Sequence, residues 1–161
     1  MIFIQIYLIL GPVPSMSSIL TDSVTLLPQS SHLVSVREYK EIKKTLLVLS
    51  RKEPQFWNFP GGKVESKEDP MTALTREIWE ELSGAQVTNP VFYKSHIGIS
   101  PRRKIIMKVN HYFGDLPEGA QIPSNEIESV RWFSYEEAQA LENLSGITRI
   151  TIEELRASGR L

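Results

Sequence analysis

The chain has no cysteine, which excludes disulfides and thiolate metal sites and suits a reducing compartment. It also has little net charge of either sign: 18 Lys and Arg against 19 Asp and Glu leave −1 over 161 residues. No global field draws it onto nucleic acid or an anionic membrane, so any polyanion must be held by local groups. Nucleic acid is not an expected partner. Long apolar runs are missing too. The most apolar stretch, MIFIQIYLIL at residues 1–10, ends at Gly11, Pro12 and Pro14, far short of the ~20 residues that span a bilayer. The first Lys or Arg is Arg37, so the run lacks the basic flank of a secretory signal, and no small-residue cleavage site follows it. These absences lead to the expectation of a cytoplasmic protein with no membrane partner. Residues 1–10 then read as an extra strand or an extension, with Met16 as an alternative start.

What is present suffices for one domain, since a chain of this length buries roughly two-thirds of its unfolded surface. Residues 11–31 are rich in Ser, Pro and Thr around one short expected strand, Ser23 to Leu27. Residues 1–31 therefore read as an N-terminal extension and 32–161 as the compact domain. Period-two patterns and β-prone runs predict strands at about 32–39, 44–51, 87–98 and 104–113, with another at SVRWF. In the strand at 104–113, Ile105, Met107, Val109 and Phe113 share the core face, and Lys108, Asn110 and Tyr112 the other. Asp69 followed by Pro70 opens a helix to about residue 83, whose Met71, Leu74, Ile78 and Leu82 form one apolar stripe. Ser134 with Glu137 makes a capping box for a second helix, and a third is expected near 148–157. Strands and helices interleave without repeats, which predicts an α/β fold with a mixed sheet between helices.

The first helix is unusual in its charge. At ~100° per residue, Glu77, Glu80 and Glu81 share one arc opposite the apolar stripe. Carboxylates so spaced repel by roughly a few tenths of a kcal/mol per pair, and near a helix C-terminus they also oppose the macrodipole. Hard oxygen donors clustered this way suit Mg²⁺ or Mn²⁺, which would relieve that repulsion. Arg76, one turn before Glu80, is the only cation among them; it can orient a carboxylate but not neutralise the set. Upstream, FPGG supplies a turn whose backbone can approach a ligand closely, and Glu68 stands at the start of the helix.

This segment resembles the signature box of the Nudix hydrolases, G-x5-E-x7-R-E-U-x-E-E-x-G-U, with U a bulky aliphatic residue. Gly62, Glu68, Arg76, Glu77, Ile78, Glu80 and Glu81 fall on its positions in register. Ser83 stands where the box has glycine and Gly84 where it has an aliphatic residue, as though the helix stop were displaced by one position. The resemblance implies a Nudix-type α/β/α sandwich with a central mixed sheet. It implies metal-dependent hydrolysis of a nucleoside diphosphate linked to another moiety. Glu77, Glu80 and Glu81, with the carbonyl of Gly62, would then hold Mg²⁺ or Mn²⁺, Arg76 would orient a glutamate, and Glu68 would support the ligands. Glu126 is the candidate general base outside the box, with Glu128 competing for the role. The downstream run KVNHYF…NEIESVRWFSYEEA is similar to diadenosine polyphosphate hydrolases, which favours dinucleoside polyphosphates. ADP-ribose, an oxidised or ordinary nucleoside triphosphate, and a non-catalytic nucleotide- or RNA-binding module are the alternatives.

Lys63, Arg102, Arg103 and Lys108 are the candidate phosphate contacts, and Tyr112 is the aromatic placed to stack a base. The three histidines, His32, His96 and His111, show no metal-ligand spacing and read as structural. The sequence leaves monomer and homodimer both open.

Overall fold

The computed structural model describes residues 27–161. The expected strand Ser23 to Leu27 and the apolar run at 1–10 lie outside or at the edge of that range. In chain order the elements are β1 (Gln29–Val34), β2 (Val36–Tyr39), β3 (Ile42–Ser50), β4 (Trp57–Asn58), β5 (Gly61–Lys63), α1 (Pro70–Glu81), β6 (Thr88–Ile99), β7 (Ile106–Asp115), β8 (Ile127–Phe133), α2 (Tyr135–Gln139) and α3 (Gly146–Ala157).

Two four-stranded sheets result. One has the order β5-β1-β7-β6, with β1 and β7 parallel and the outer pairings antiparallel, and is therefore mixed. The other is antiparallel and centred on β3. Thr45 pairs with both Val36 and Phe133, so β2 and β8 lie on opposite edges of β3.

The single strand expected at 32–39 is in fact two. At Ser35 the chain leaves the mixed sheet and enters the antiparallel one, and the Ser35 carbonyl accepts from Leu46 N at 3.1 Å and Thr45 Oγ1 at 3.0 Å. A period-two pattern carries no mark of such a change of partner.

Neighbouring residues on a strand point to opposite faces, and here both faces are buried. Leu33, Leu46 and Val48 pack with Leu74 and Ile78 of α1 and with Leu82 just after it. Val34 and Leu47 pack with Phe133, Ile152 and Leu155 on the side of α2 and α3. This is why TLLVL in β3 is an unbroken apolar run rather than an alternating one.

The helix caps are as the sequence implies. Asp69 accepts from Met71 N at 2.9 Å and Thr72 N at 3.1 Å, with Pro70 at the first helical position. In the capping box at α2, Ser134 N donates to the Glu137 carboxylate at 2.7 Å and Glu137 N donates to Ser134 Oγ at 3.2 Å. Helix α1 ends at Glu81 rather than 83 because Leu82 is already its cap, and Ser83 (φ 48°) and Gly84 (φ 89°) are both left-handed. The stop thus spans two residues, with Ser83 in a conformation that normally selects glycine.

The expectation for β7 needs correction. Its second face is closed from Asn110 onward: Tyr112 is only 7% exposed and belongs to the core beneath α1, and Asn110 is buried as well, while Lys108 before them is half-buried. A sheet covered on both sides leaves no free face in its middle.

Candidate active site

The site begins at the turn Phe59-Pro60-Gly61-Gly62. Gly61 has φ 135°, and a Cβ there would stand 2.1 Å from the Ser31 carbonyl oxygen of β1. A Cβ at Gly62 would stand 2.3 Å from the Glu77 carboxylate. Two residues without side chains therefore let β5 lie against both β1 and the acidic face of α1, and Gly61 N donates to Glu81 Oε2 at 2.8 Å.

Arg76 is the hub of the carboxylates. Its Nε and Nη2 donate to the two oxygens of Glu68, both at 3.0 Å. Its Nη1 donates to Glu77 at 2.9 Å and Glu80 at 3.2 Å, and its Nη2 also reaches the Lys63 carbonyl at 2.9 Å. One guanidinium thus ties the turn, the loop before α1 and the helix into a single frame. The hydrogen bond from Arg76 holds Glu68 below the ordinary carboxylate range. Glu77 moves the other way, raised first by burial, against which Arg76 acts. Burial pushes Glu81 up to about 8; the Gly61 N–H opposes this, while the Glu77 and Glu126 carboxylates add to it.

Glu81 thus has no cation paired to it among the described residues, and Glu77 shares the single Arg76 guanidinium with Glu68 and Glu80. Among the described residues, however, no three His, Cys, Asp or Glu side chains stand in a geometry that holds a metal ion, because Glu77 and Glu80 are turned toward Arg76. The donor set nonetheless fits a hard divalent ion: it is all oxygen, the carboxylate of Glu81 is raised by burial and that of Glu77 only partly offset by Arg76, and the Gly62 backbone lies against Glu77 with no side chain between. Glu80, 51% exposed, is free to turn.

These residues line a cleft of about 480 Å³ lying between the two sheets. Gly62, Lys63, Arg76, Glu77, Glu80 and Glu81 belong to its lining, and Glu126, Arg102 and Arg103 also border the cleft. Glu126 is 68% exposed and pairs with Lys52 at 2.7 Å. Arg102 donates to the Lys52 carbonyl at 2.9 Å, and Lys63 is paired with Glu65 at 3.1 Å. Glu128 accepts from Gln55 and does not line the cleft. Lys108 and Tyr112 do not line it either; the cleft takes the opposite face of β7, through Met107 and Val109.

Sequence reasoning missed the apolar part of the lining. Phe56, Phe59, Met107, Val109 and Ile147 contribute it, alongside the polar Asn58, His32 and Ser30. Only Phe56, Asn58 and Phe59, at or beside the glycine turn, carried any local hint. Ser30 and Ile147 come together through strand pairing and helix packing, which no spacing reveals.

The NUDIX domain family matches residues 30–155. A protein of Bacillus subtilis (strain 168), provisionally named an 8-oxo-dGTP diphosphatase, is 27% identical over 107 residues, 66% of this chain and 66% of its own length. The match thus spans just under two thirds of that relative. Two solved structures share the fold. The NUDIX domain of Shewanella oneidensis NrtR complexed with ADP ribose superposes with TM-score 0.68 at 16% identity, over 89% of this chain and 98% of that one. A C. elegans Ap4A hydrolase binary complex gives 0.64 at 19% identity, over 83% and 99%.

Proposed function

This chain belongs to the Nudix family, and we propose that its cleft hydrolyses a pyrophosphate bond of a nucleoside polyphosphate with the help of Mg²⁺ or Mn²⁺. The observation that carries this reading is that one cleft is lined both by carboxylates and by aromatic and aliphatic side chains. Three carboxylates would repel a phosphate chain unless a divalent cation lies between, whereas the aromatic and aliphatic lining suits an uncharged base. A ligand that satisfies both carries a polyphosphate and a base.

The carboxylates of Glu77, Glu80 and Glu81 and the Gly62 carbonyl would hold the cation. The chemistry supplied by a bound divalent ion is neutralisation of charge on the phosphoryl oxygens. Arg76 positions Glu77 and Glu80 by hydrogen bonds. Glu126 is the group proposed to take the proton from the attacking water, held at the cleft by Lys52. Lys63, Arg102 and Arg103 are the cations proposed to meet phosphate.

The aromatic and aliphatic part of the lining favours a substrate that buries a base, a nucleoside triphosphate in the first place. Dinucleoside polyphosphates form a second reading, favoured by Arg102 and Arg103 bordering the cleft, where a longer phosphate chain would run.

The deciding experiment is a substrate panel with Mg²⁺, scored by product identity: a nucleoside triphosphate and its 8-oxo form, diadenosine tetraphosphate, and ADP-ribose. Each charge-assisted phosphate contact is worth roughly 1.5–3 kcal/mol, or about ten- to a hundredfold in kcat/KM. If the longer chain is the substrate, Arg102→Ala/Arg103→Ala loses that much on diadenosine tetraphosphate and less on ADP-ribose. Equal losses on both overturn the second reading, and no turnover on any of the panel overturns the first.

A further inference from the structure

Strand β6 is the outer strand of the mixed sheet, and among the described residues nothing pairs with its free edge. Its two halves differ. The first is interrupted twice in its pairing with β7, between Thr88 and Val91 and between Phe92 and Lys94, and it holds Pro90 and Lys94. Bulges, proline and lysine are the usual devices that keep an edge from accepting another strand. The second half, Ser95 to Ile99, pairs in unbroken register with Ile106 to Asn110 and contains no Lys, Arg, Asp, Glu or Pro. Lys108 N donates to the Pro28 carbonyl at 2.9 Å, so Lys108 turns its backbone toward β1, and Met107 and Val109 turn theirs toward β6. By the alternation of an antiparallel ladder, their partners His96 and Gly98 take those bonds, and the amides of Ser95, Ile97 and Ile99 point out from the open edge.

The same half is apolar on the face it shares with Tyr112. Ile97 stands opposite Lys108, and Ile99 opposite Ile106; Ile97, Ile99 and Ile106 are 41%, 65% and 58% exposed. Helix α1 packs over β1 and β5 and leaves these three bare. An exposed aliphatic row beside unpaired amides is where a further strand adds. The nearest candidate along the chain is its own beginning. The described chain starts at residue 27, at the corner where Gln29 pairs with Lys108 and Lys108 with Ile97. Residues 1–10, MIFIQIYLIL, carry no charged side chain, and one of their two alternating rows is wholly aliphatic: Ile2, Ile4, Ile6, Leu8 and Leu10. From β1 to a place beyond β6 is three strand spacings, about 14 Å, and the intervening residues 11–26 reach up to roughly 50 Å. A tethered segment acts at an effective concentration of the order of millimolar, above that of a second copy in dilute solution.

We propose that residues 1–10 add as a strand to the free edge of β6 along Ser95 to Ile99, with their aliphatic row beside Ile97 and Ile99. The chain's own N-terminal segment then closes the edge that would otherwise template another molecule. This inference does not depend on what the cleft hydrolyses.

Amide hydrogen exchange of the full chain, resolved by NMR, is the first measurement. The amides of Ser95, Ile97 and Ile99 should exchange about a hundredfold more slowly than in Ile4→Pro/Gln5→Pro, whose adjacent prolines remove a donor from each row of the segment. The amides of His96 and Gly98, bonded to β7, should stay protected in both proteins, which shows that the variant is folded. Fast exchange at the three edge amides of the wild type, or equally slow exchange in both proteins, overturns the proposal. The second measurement uses the absence of native cysteine and decides alone should the proline variant not fold. Ile4→Cys/Ile97→Cys, treated with a short thiol crosslinker, should give a product of monomer mass in several-fold higher yield than Ile4→Cys/Ile42→Cys, whose Ile42 is exposed on the other sheet. A product of dimer mass assigns the edge to a second copy of the chain, and equal yields from the two pairs show no preferred place for the segment; either result overturns the proposal.

Discussion

Replacing Glu81 by Gln should strengthen the fold while destroying the activity. The side chain accepts from Gly61 N at 2.8 Å, a contact that the amide oxygen of Gln preserves. Its carboxyl is raised from 4.5 to about 8, chiefly by burial. At about 1.4 kcal/mol per pH unit, the ionised form costs the metal-free fold up to roughly 5 kcal/mol above pH 8. Solvent still reaches Glu81 from the cleft, so about half of that, 2–3 kcal/mol, is the expected gain. The sign follows from proton counting. Below pH 4.5 both states hold the proton, and the wild type pays nothing. Between 4.5 and about 8 the unfolded chain has released it and the folded chain has not, so wild-type stability falls as pH rises. The variant lacks this slope. Thermal melts in EDTA should therefore coincide near pH 4.5 and diverge to roughly 6–10 °C in favour of Glu81→Gln at pH 8. Added Mg²⁺ should raise the wild-type midpoint and leave the variant nearly unmoved, and turnover should fall by about two orders of magnitude or more. A stability difference that does not grow with pH would refute the burial argument. Near-wild-type turnover at saturating Mg²⁺ would refute the metal-site assignment.

Two further substitutions probe the frame around the carboxylates. Ser83→Gly removes a left-handed serine at the end of α1 but also the hydrogen bond from Ser83 Oγ to the Pro123 carbonyl at 3.2 Å, so Ser83→Ala, which loses the same bond and keeps the strain, is its reference; the glycine variant should be more stable than the alanine variant by about 1 kcal/mol, and equal denaturant midpoints would contradict the strain. Gly62→Ala pushes only on the Glu77 carboxylate, whereas Gly61→Ala meets the backbone of β1. The first should fold, with turnover reduced about a hundredfold or more by misplacement of Glu77, and the second should not accumulate as folded protein, which circular dichroism and activity on the same samples will separate.

The sequence by itself determined everything set by local spacing. The N-cap at Asp69, the capping box at Ser134 and the apolar stripe of α1 depend on residues within a few positions of one another, and each stands in the structure as the pattern implies. The convergence of Glu77, Glu80 and Glu81 on one arc follows from helical periodicity alone, and so does the place of Arg76 among them. Even the odd ending at Ser83 and Gly84 was legible as a displaced stop, although not that both residues turn left-handed.

Tertiary structure decided whatever depends on which strand lies beside which. The change of sheet at Ser35 splits one apparent strand in two. The covering of β7 by α1 takes Tyr112 out of reach of any ligand and leaves Met107 and Val109 to face the cleft. The same pairing carries His32, His96 and His111, up to 79 positions apart, into one cluster. Local propensity is a property of a few consecutive residues, whereas a cleft between two sheets is made by pairings whose only record in the chain is burial on both faces.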